Sequence, residues 1–149
     1  MTLWRVSNHA SLDGMGVLRV SGRWHTRGRR IVYCAPNPAI ALLEVLVHAE
    51  IDFEDIPPTL RYLEVEVPDA IQAGTIDSSI LGTAWRTNPD KTRHLGDEWL
   101  RARQTALLSV PSVIVPVTWN VLINPLHPDS RQIRIARIHE HVIDPRLPR

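Results

Sequence analysis

The stretch Ile31-Val-Tyr-Cys-Ala-Pro-Asn-Pro-Ala-Ile-Ala-Leu-Leu-Glu-Val-Leu-Val-His48 changes its periodicity part-way along, and that change decides how the chain is read. Ile31 to Cys34 is β-branched, aromatic and apolar, the composition of a short strand. Asn37-Pro38 then offers a capping side chain followed by the residue best suited to the first helical position, so a helix is predicted from about Pro38 to Ala49. One residue breaks the pattern. Glu44 falls at the margin of a broad apolar arc formed by Ala39, Ile40, Leu42, Leu43, Leu46 and Val47, with His48 one turn further on. A carboxylate at the edge of a buried helix face costs free energy to desolvate unless something compensates it, and active sites are one place where that happens. The same spacing also fits an ordinary surface pair of glutamate and histidine, and no second carboxylate is near in sequence.

Outward from this stretch, Leu3 to Val6 reads as a first strand, followed by a glycine-bearing loop at Asp13-Gly-Met-Gly16 and a polar turn at Arg27-Gly-Arg-Arg30. Beyond a loop over 52–58, Leu60 to Val67 alternates, with Leu63, Val65 and Val67 on one side and Tyr62, Glu64 and Glu66 on the other, as in a half-buried strand. A loop surrounds Trp85-Arg-Thr-Asn-Pro89. Trp99, Leu100, Ala106 and Leu107 predict a second amphipathic helix over Asp97 to Leu108, capped by Asp97. Strands are predicted over Val110 to Val117, Ile133 to Ile138 and His141 to Ile143, with a turn at Asn124-Pro125 and His127-Pro128. Strands and helices mixed without strict alternation predict an α+β fold: one domain over residues 1–149, a mixed β-sheet core with flanking helices.

Composition excludes several classes of function. A chain of 149 residues with 44% apolar side chains can build one ordinary core, and no repeat or low-complexity linker divides it. With 17 basic and 16 acidic side chains the formal charge is +1, which argues against holding a nucleic-acid backbone or an anionic membrane surface. No apolar run is long enough to span a bilayer, and Met1-Thr-Leu-Trp-Arg-Val6 lacks the basic-then-apolar order of a secretion signal, so a cytoplasmic location is expected. The single cysteine, Cys34, has no internal disulfide partner and reads as a buried strand residue.

Beyond Glu44, three positions carry candidate chemistry. Arg23-Trp24 puts a guanidinium, able to grip paired phosphate oxygens, beside a flat indole surface; with Arg27, Arg29 and Arg30 nearby, a solvated basic loop fits as well. Tyr33 is one of two tyrosines, which strand preference alone explains. Ser112 in Val110-Pro-Ser112 is placed to reach a cavity between layers, but no Gly-x-Ser-x-Gly elbow surrounds it and no histidine has a triad setting. His139-Glu-His141 would turn two imidazoles to one side of a strand without a third ligand, so no metal is expected.

Taken together these residues resemble the RES domain family, named for its Arg, Glu and Ser. The resemblance rests on Arg23 in Gly-Arg-Trp, Tyr33 in Val-Tyr-Cys-Ala, Glu44 in Ala-Leu-Leu-Glu-Val-Leu-Val-His, Ser112 in Val-Pro-Ser-Val-Ile-Val-Pro and Asn124 in Asn-Pro-Leu-His-Pro, and it covers nearly the whole chain. It departs from the family pattern at Ser21, where a second glycine is expected, and at His25, where an asparagine is expected; both flank the arginine loop. The resemblance implies a toxin of a bacterial type II toxin–antitoxin pair that consumes NAD+, with a fold like that of ADP-ribosyltransferases and diphtheria-type toxins. It further implies an Xre-like helix-turn-helix antitoxin whose carboxy-terminal part covers the cleft. The dinucleotide is then substrate, and no further cofactor is implied.

In that reading Glu44 stabilises the positive charge that develops at the ribose carbon as neutral nicotinamide departs, and Arg23 clamps the diphosphate. Tyr33, with Trp24 beside it, packs against or bonds the nicotinamide riboside end, while Ser112 bonds the ribose or carboxamide. His48 and Asn124 are secondary NAD-binding candidates. Water as nucleophile gives hydrolysis, inorganic phosphate gives phosphorolysis, and a protein side chain gives ADP-ribosylation; the sequence does not separate them, and degradation of free NAD+ by water or phosphate is expected over transfer because nothing here resembles a protein-substrate recognition module. A non-catalytic module that only docks a partner is the alternative from another class.

Overall fold

The computed structural model of the chain describes residues 1–48 and 57–147. Among them lie seven strands and two α-helices, in the order β1 (Thr2–Val6), β2 (Val32–Cys34), α1 (Pro38–His48), β3 (Thr59–Glu66), β4 (Ala73–Thr75), α2 (Pro89–Ala102), β5 (Leu107–Pro111), β6 (Trp119–Ile123) and β7 (Arg134–Val142). This is the α+β class expected. The strands form two sheets: an antiparallel one ordered β1-β3-β7, and a mixed one ordered β2-β6-β5-β4 in which β4 runs parallel to β5. A bridge between Trp4 and Ala35 ties the edge of the first sheet to the end of β2.

The alternation read in β3 places Leu63, Val65 and Val67 inward, where they meet Leu3 of β1 and, from the second sheet, Val32, Cys34, Leu107, Val121 and Ile123. Burial of these side chains between the sheets is the main source of stability, at about 1.5–3 kcal/mol for each large one. On the far side of the mixed sheet, Leu108, Val110 and Leu122 pack against Trp24, Trp85 and Leu100. On the far side of the antiparallel sheet, Ala41 of α1 packs with Val6, Ala35 and Leu60. The start of α1 is capped as its sequence indicates: Asn37 Oδ1 accepts from the Ile40 amide at 2.9 Å, with Pro38 in the first turn. The expected helix end at Ala49 and most of the loop over 52–58 lie outside the described residues.

Three expectations are corrected. The second helix runs from Pro89 to Ala102, not from Asp97 to Leu108. Its buried face is Thr92, Gly96 and Leu100, with Leu95 and Trp99 beside them, and a threonine and a glycine in that stripe hide it from an apolar count. Asp97 is no cap but a mid-helix acceptor: its carboxylate takes the Thr26 amide at 2.9 Å and the Thr26 hydroxyl at 2.6 Å, and pairs with Arg29 at 3.3 Å. Arg103 ends the helix in the left-handed region at φ 53°, which frees Leu107 and Leu108 for β5. The strand over Val110 to Val117 stops at Pro111; 112–118 is the loop of a hairpin whose return strand, β6, was not expected. The last two expected strands are one, Arg134–Val142, with an irregularity opposite Glu64 and Val65.

Candidate active site

The β5–β6 hairpin, the loop before β2 and the outer face of α1 meet at one cleft. It is lined by Arg23, Trp24, Tyr33, Glu44 and Val47, by Val110, Pro111, Val113 and Ile114 from β5 and its loop, and by Asn120 and Leu122 from β6. Its enclosed volume is about 90 Å³. Pockets that swallow a drug-sized ligand begin at about 300 Å³, so this one encloses only one end of such a molecule.

Glu44 is half-buried at the cleft wall, the marginal position its helical spacing indicates. Its Oε1 accepts two hydrogen bonds, from Asn120 Nδ2 at 2.7 Å and from Ser112 Oγ at 3.2 Å. Oε2 accepts none among the described residues, so one oxygen is tied and the other is open. Ser112 is itself fixed: its Oγ accepts from the Ile114 and Val115 amides at 3.2 and 3.1 Å, and the residue is 1% exposed. The serine thus addresses Glu44 directly, from a buried position beside the cleft.

Asn120 was missed by the sequence reading. With β6 unrecognised, a polar residue between Trp119 and Val121 had no strand face to stand out from. Its Oδ1 is buried and has no partner among the described residues. Turning the amide over would set that oxygen against the carboxylate, so the hydrogen bond to Glu44 fixes its orientation.

Tyr33 borders the cleft by its ring, while its hydroxyl is occupied beneath. It accepts from the Trp24 amide at 3.1 Å and lies 2.6 Å from His25 Nδ1. An oxygen already accepting from an amide donates to His25, which places the imidazole proton on Nε2, 3.3 Å from the Val17 carbonyl. His25 is 0% exposed, and burial lowers its proton affinity, so the ring is neutral. Burial likewise pushes the Tyr33 hydroxyl far above its usual range. His25 closes this network, and Ser21 Oγ accepts the Arg27 amide at 3.0 Å to close the same loop.

The remaining candidates separate. Arg23 is half-buried and donates from Nη1 to the Arg86 carbonyl at 3.1 Å; desolvation, then the charge of Arg93, lowers its proton affinity, while Tyr33 and Glu44 oppose this. Trp24 is 3% exposed and packs on Trp85 at a ring separation of 6.3 Å, so it forms the floor of the cleft rather than an exposed stacking surface. Asn124 lies elsewhere: its Nδ2 donates to the Leu100 carbonyl at 3.0 Å, its Oδ1 accepts the Leu126 amide at 3.1 Å, and it borders a different cleft. His48 closes α1, and its side chain lies outside the described residues. His139 stacks on Trp4 and His141 on Tyr62. Burial pushes the Cys34 thiol up to about 12, which fits a core residue and not a nucleophile.

Comparison with known proteins gives the family. The RES domain matches residues 2–145. The chain belongs to the RES domain family. It is 46% identical over 147 residues to a Pseudomonas putida protein named "Toxin Res", covering 99% of both chains. A Sphingobium protein named "Prs ADP-ribosylating toxin" is 35% identical over 156 residues, covering 98% of this chain and 96% of its own. A further "Toxin Res", from Photorhabdus laumondii, is 32% identical over 154 residues, covering 99% and 97%. In this RES chain Arg23 and Glu44 both line the cleft, and Ser112 braces Glu44 from beneath. No helix among the described residues is long and apolar enough to cross a membrane.

Proposed function

We propose that this RES chain is the toxin of a type II toxin–antitoxin pair and degrades NAD+ by cleaving the bond between nicotinamide and ribose, acting in the cytoplasm. The observation that carries the reading is the meeting of Glu44 and Arg23 at one small cleft, with Glu44 held by one oxygen and free at the other. Cleavage sends the bonding electron pair to the pyridinium nitrogen, which leaves as neutral nicotinamide, and positive charge builds at the ribose anomeric carbon. A fixed carboxylate in a water-poor site is the group that stabilises such a charge. Oε2 of Glu44 faces that carbon, or bonds a ribose hydroxyl and orients the nucleophile. With water, NAD+ and H2O give nicotinamide, ADP-ribose and a proton; with inorganic phosphate, NAD+ gives nicotinamide, ADP-ribose carrying the phosphate on its anomeric carbon, and a proton. The apolar walls from Val47, Val110 and Ile114, with the Tyr33 ring, suit a flat nicotinamide, and the rest of the dinucleotide lies across the rim past Arg23. The chain would then share the ADP-ribosyltransferase-like architecture, and an Xre-like antitoxin would silence it by covering this cleft.

The name of the Sphingobium relative favours a second reading, transfer of ADP-ribose to a protein. One experiment tests both. The purified chain is incubated with NAD+, with and without phosphate, and nicotinamide release is followed by proton NMR. Radiolabelled NAD+ is then added with cell lysate. Rapid nicotinamide release without lysate supports degradation, and phosphate dependence identifies the nucleophile. Label on a protein band without loss of free NAD+ selects the transferase. Neither result in a freshly purified, folded chain rejects catalysis at this cleft and leaves the docking module.

A further inference from the structure

Beside the wall of the Glu44 cleft, to which Arg23 contributes, the fold gathers positive charge that no ion pair among the described residues neutralises. Arg23 comes from the loop before β2, Arg86 from the short turn before α2, and Arg93 from α2 itself. Each is anchored to a backbone carbonyl: Arg23 Nη1 to Arg86 at 3.1 Å, Arg86 Nη2 to Val113 at 2.6 Å, and Arg93 Nε to Gly22 at 2.7 Å. A carbonyl anchor fixes a guanidinium without cancelling its charge and leaves its other nitrogens to donate. Among the described residues none of the three lies within ion-pair distance of a carboxylate. Asp97, one turn beyond Arg93, is committed to Thr26 and Arg29.

The three charges sense one another. After burial, Arg93 is the largest influence lowering the proton affinity of Arg23, and Arg86 acts in the same direction. Arg93 and Arg23 also both favour the ionised form of Tyr33, so the field of both reaches the Tyr33 hydroxyl just beneath the cleft. Like charges held together by neutral anchors raise the free energy of the empty protein, and an anion seated among them relieves it. The planar fork of arginine suits paired phosphate oxygens.

We infer that Arg86 and Arg93 complete, with Arg23, a diphosphate-binding rim that makes the chain selective for a nicotinamide dinucleotide over the nicotinamide nucleoside. This rests on the proposed reading of the Glu44 cleft as the nicotinamide–ribose site. The cleft closes around one end of the substrate, and the rim holds the diphosphate just outside it, so that binding energy from the non-reacting part aligns the scissile bond with Glu44.

The test compares the unaltered protein with Arg86→Gln and Arg93→Gln, using NAD+ and nicotinamide riboside as substrates and calorimetry with ADP, which carries the diphosphate but no nicotinamide. Each substitution is expected to raise KM for NAD+ and Kd for ADP about tenfold, to lower kcat less than it raises KM, and to reduce the preference for NAD+ over the riboside by a similar factor. Arg86 is exposed, so its substitution leaves the fold intact; should Arg93→Gln unfold, Arg93→Lys removes the fork while keeping the charge. Unchanged KM, ADP affinity and selectivity in the folded variants overturn the inference, even where NAD+ is consumed with Glu44 dependence. Tight ADP binding that both substitutions weaken, in a protein that consumes no NAD+, keeps the anion rim and overturns the function proposed above instead.

Discussion

Two clefts on this molecule teach opposite lessons about size and chemistry. The Glu44 cleft encloses about 90 Å³ and brings a braced carboxylate, an arginine and an aromatic wall together. The second, about 490 Å³, lies beyond the carboxy-terminal end of α2 and is bordered by Arg29, Arg30, Arg101 and Arg103 with Asn124. The larger cavity holds no carboxylate. Two of its arginines are already spent, Arg29 on Asp97 at 3.3 Å and Arg101 on Glu98 at 2.6 Å, and Asn124 uses its amide to hold Leu100 and Leu126. In the smaller one, a polar oxygen of Asn120 has no partner among the described residues while its nitrogen serves Glu44. A fold that accepts an unpartnered buried oxygen to position a carboxylate is organised around that carboxylate.

The largest effect that sharpens this contrast is Glu44→Gln. It keeps the shape and the bonds from Asn120 and Ser112 within reach but removes the charge, so NAD+ turnover should fall by about 10³-fold or more, roughly 4 kcal/mol of transition-state stabilisation. Turnover within a few-fold of the unaltered protein would move the chemistry away from this cleft. Asn120→Leu comes next. It removes one of the two donors to Glu44 and also the unpartnered oxygen, so stability should change by less than about 1 kcal/mol while kcat falls about tenfold. Denaturant unfolding beside steady-state kinetics separates the two. A loss of stability with kcat preserved would make Asn120 merely structural.

How much of this was legible in the sequence follows from the kind of signal each element carries. α1 was readable because Asn37-Pro38 marks its start and Glu44 interrupts an apolar stripe. β3 was readable because alternation exposes both faces at once. α2 was misplaced because Thr92 and Gly96 do its packing, and a Cβ on Gly96 would run into the Trp24 carbonyl; close approach of two backbones leaves no apolar trace in sequence. β6 was lost because Pro111 ends β5 within an apolar run whose continuation, Val113 to Val115, belongs to the hairpin loop. Asn120 was lost with it. Arg86 and Arg93 had no local signal, since what distinguishes them is the carbonyl each is tied to across the fold.

The Tyr33 and His25 network beneath the small cleft gives a stability effect of intermediate size. Tyr33→Phe leaves the Trp24 amide and His25 Nδ1 without their partner, at a cost of about 1–3 kcal/mol. Burial holds the folded-state proton affinity of His25 below its ordinary value of 6.5. Below that pH the unfolded chain therefore binds more protons than the folded one. The contribution of His25 is fully present above 6.5 and is lost as the pH falls through the window beneath it. Urea midpoints across that window should fall with pH in the unaltered protein and flatten in His25→Asn. An equal slope in both would show that other groups set the acid limit.

The smallest expected effect is the most demanding test of the comparison, because it concerns the cavity that volume alone would favour. Arg103→Ala removes an arginine from the larger cleft, and its backbone at φ 53° is where alanine, like arginine, is strained by about 1–3 kcal/mol. Arg103→Gly relieves that strain and removes the same charge, so the pair separates the backbone contribution from the electrostatic one. Both should turn over NAD+ within twofold of the unaltered protein, with Arg103→Gly at least as stable as Arg103→Ala. If either lost turnover in parallel with Glu44→Gln, the two clefts would be one functional unit, and the division drawn from their carboxylate content would fail. If both keep turnover, the second cleft's positive charge acts on something other than the reaction, and cavity size ceases to be a guide to where the chemistry lies.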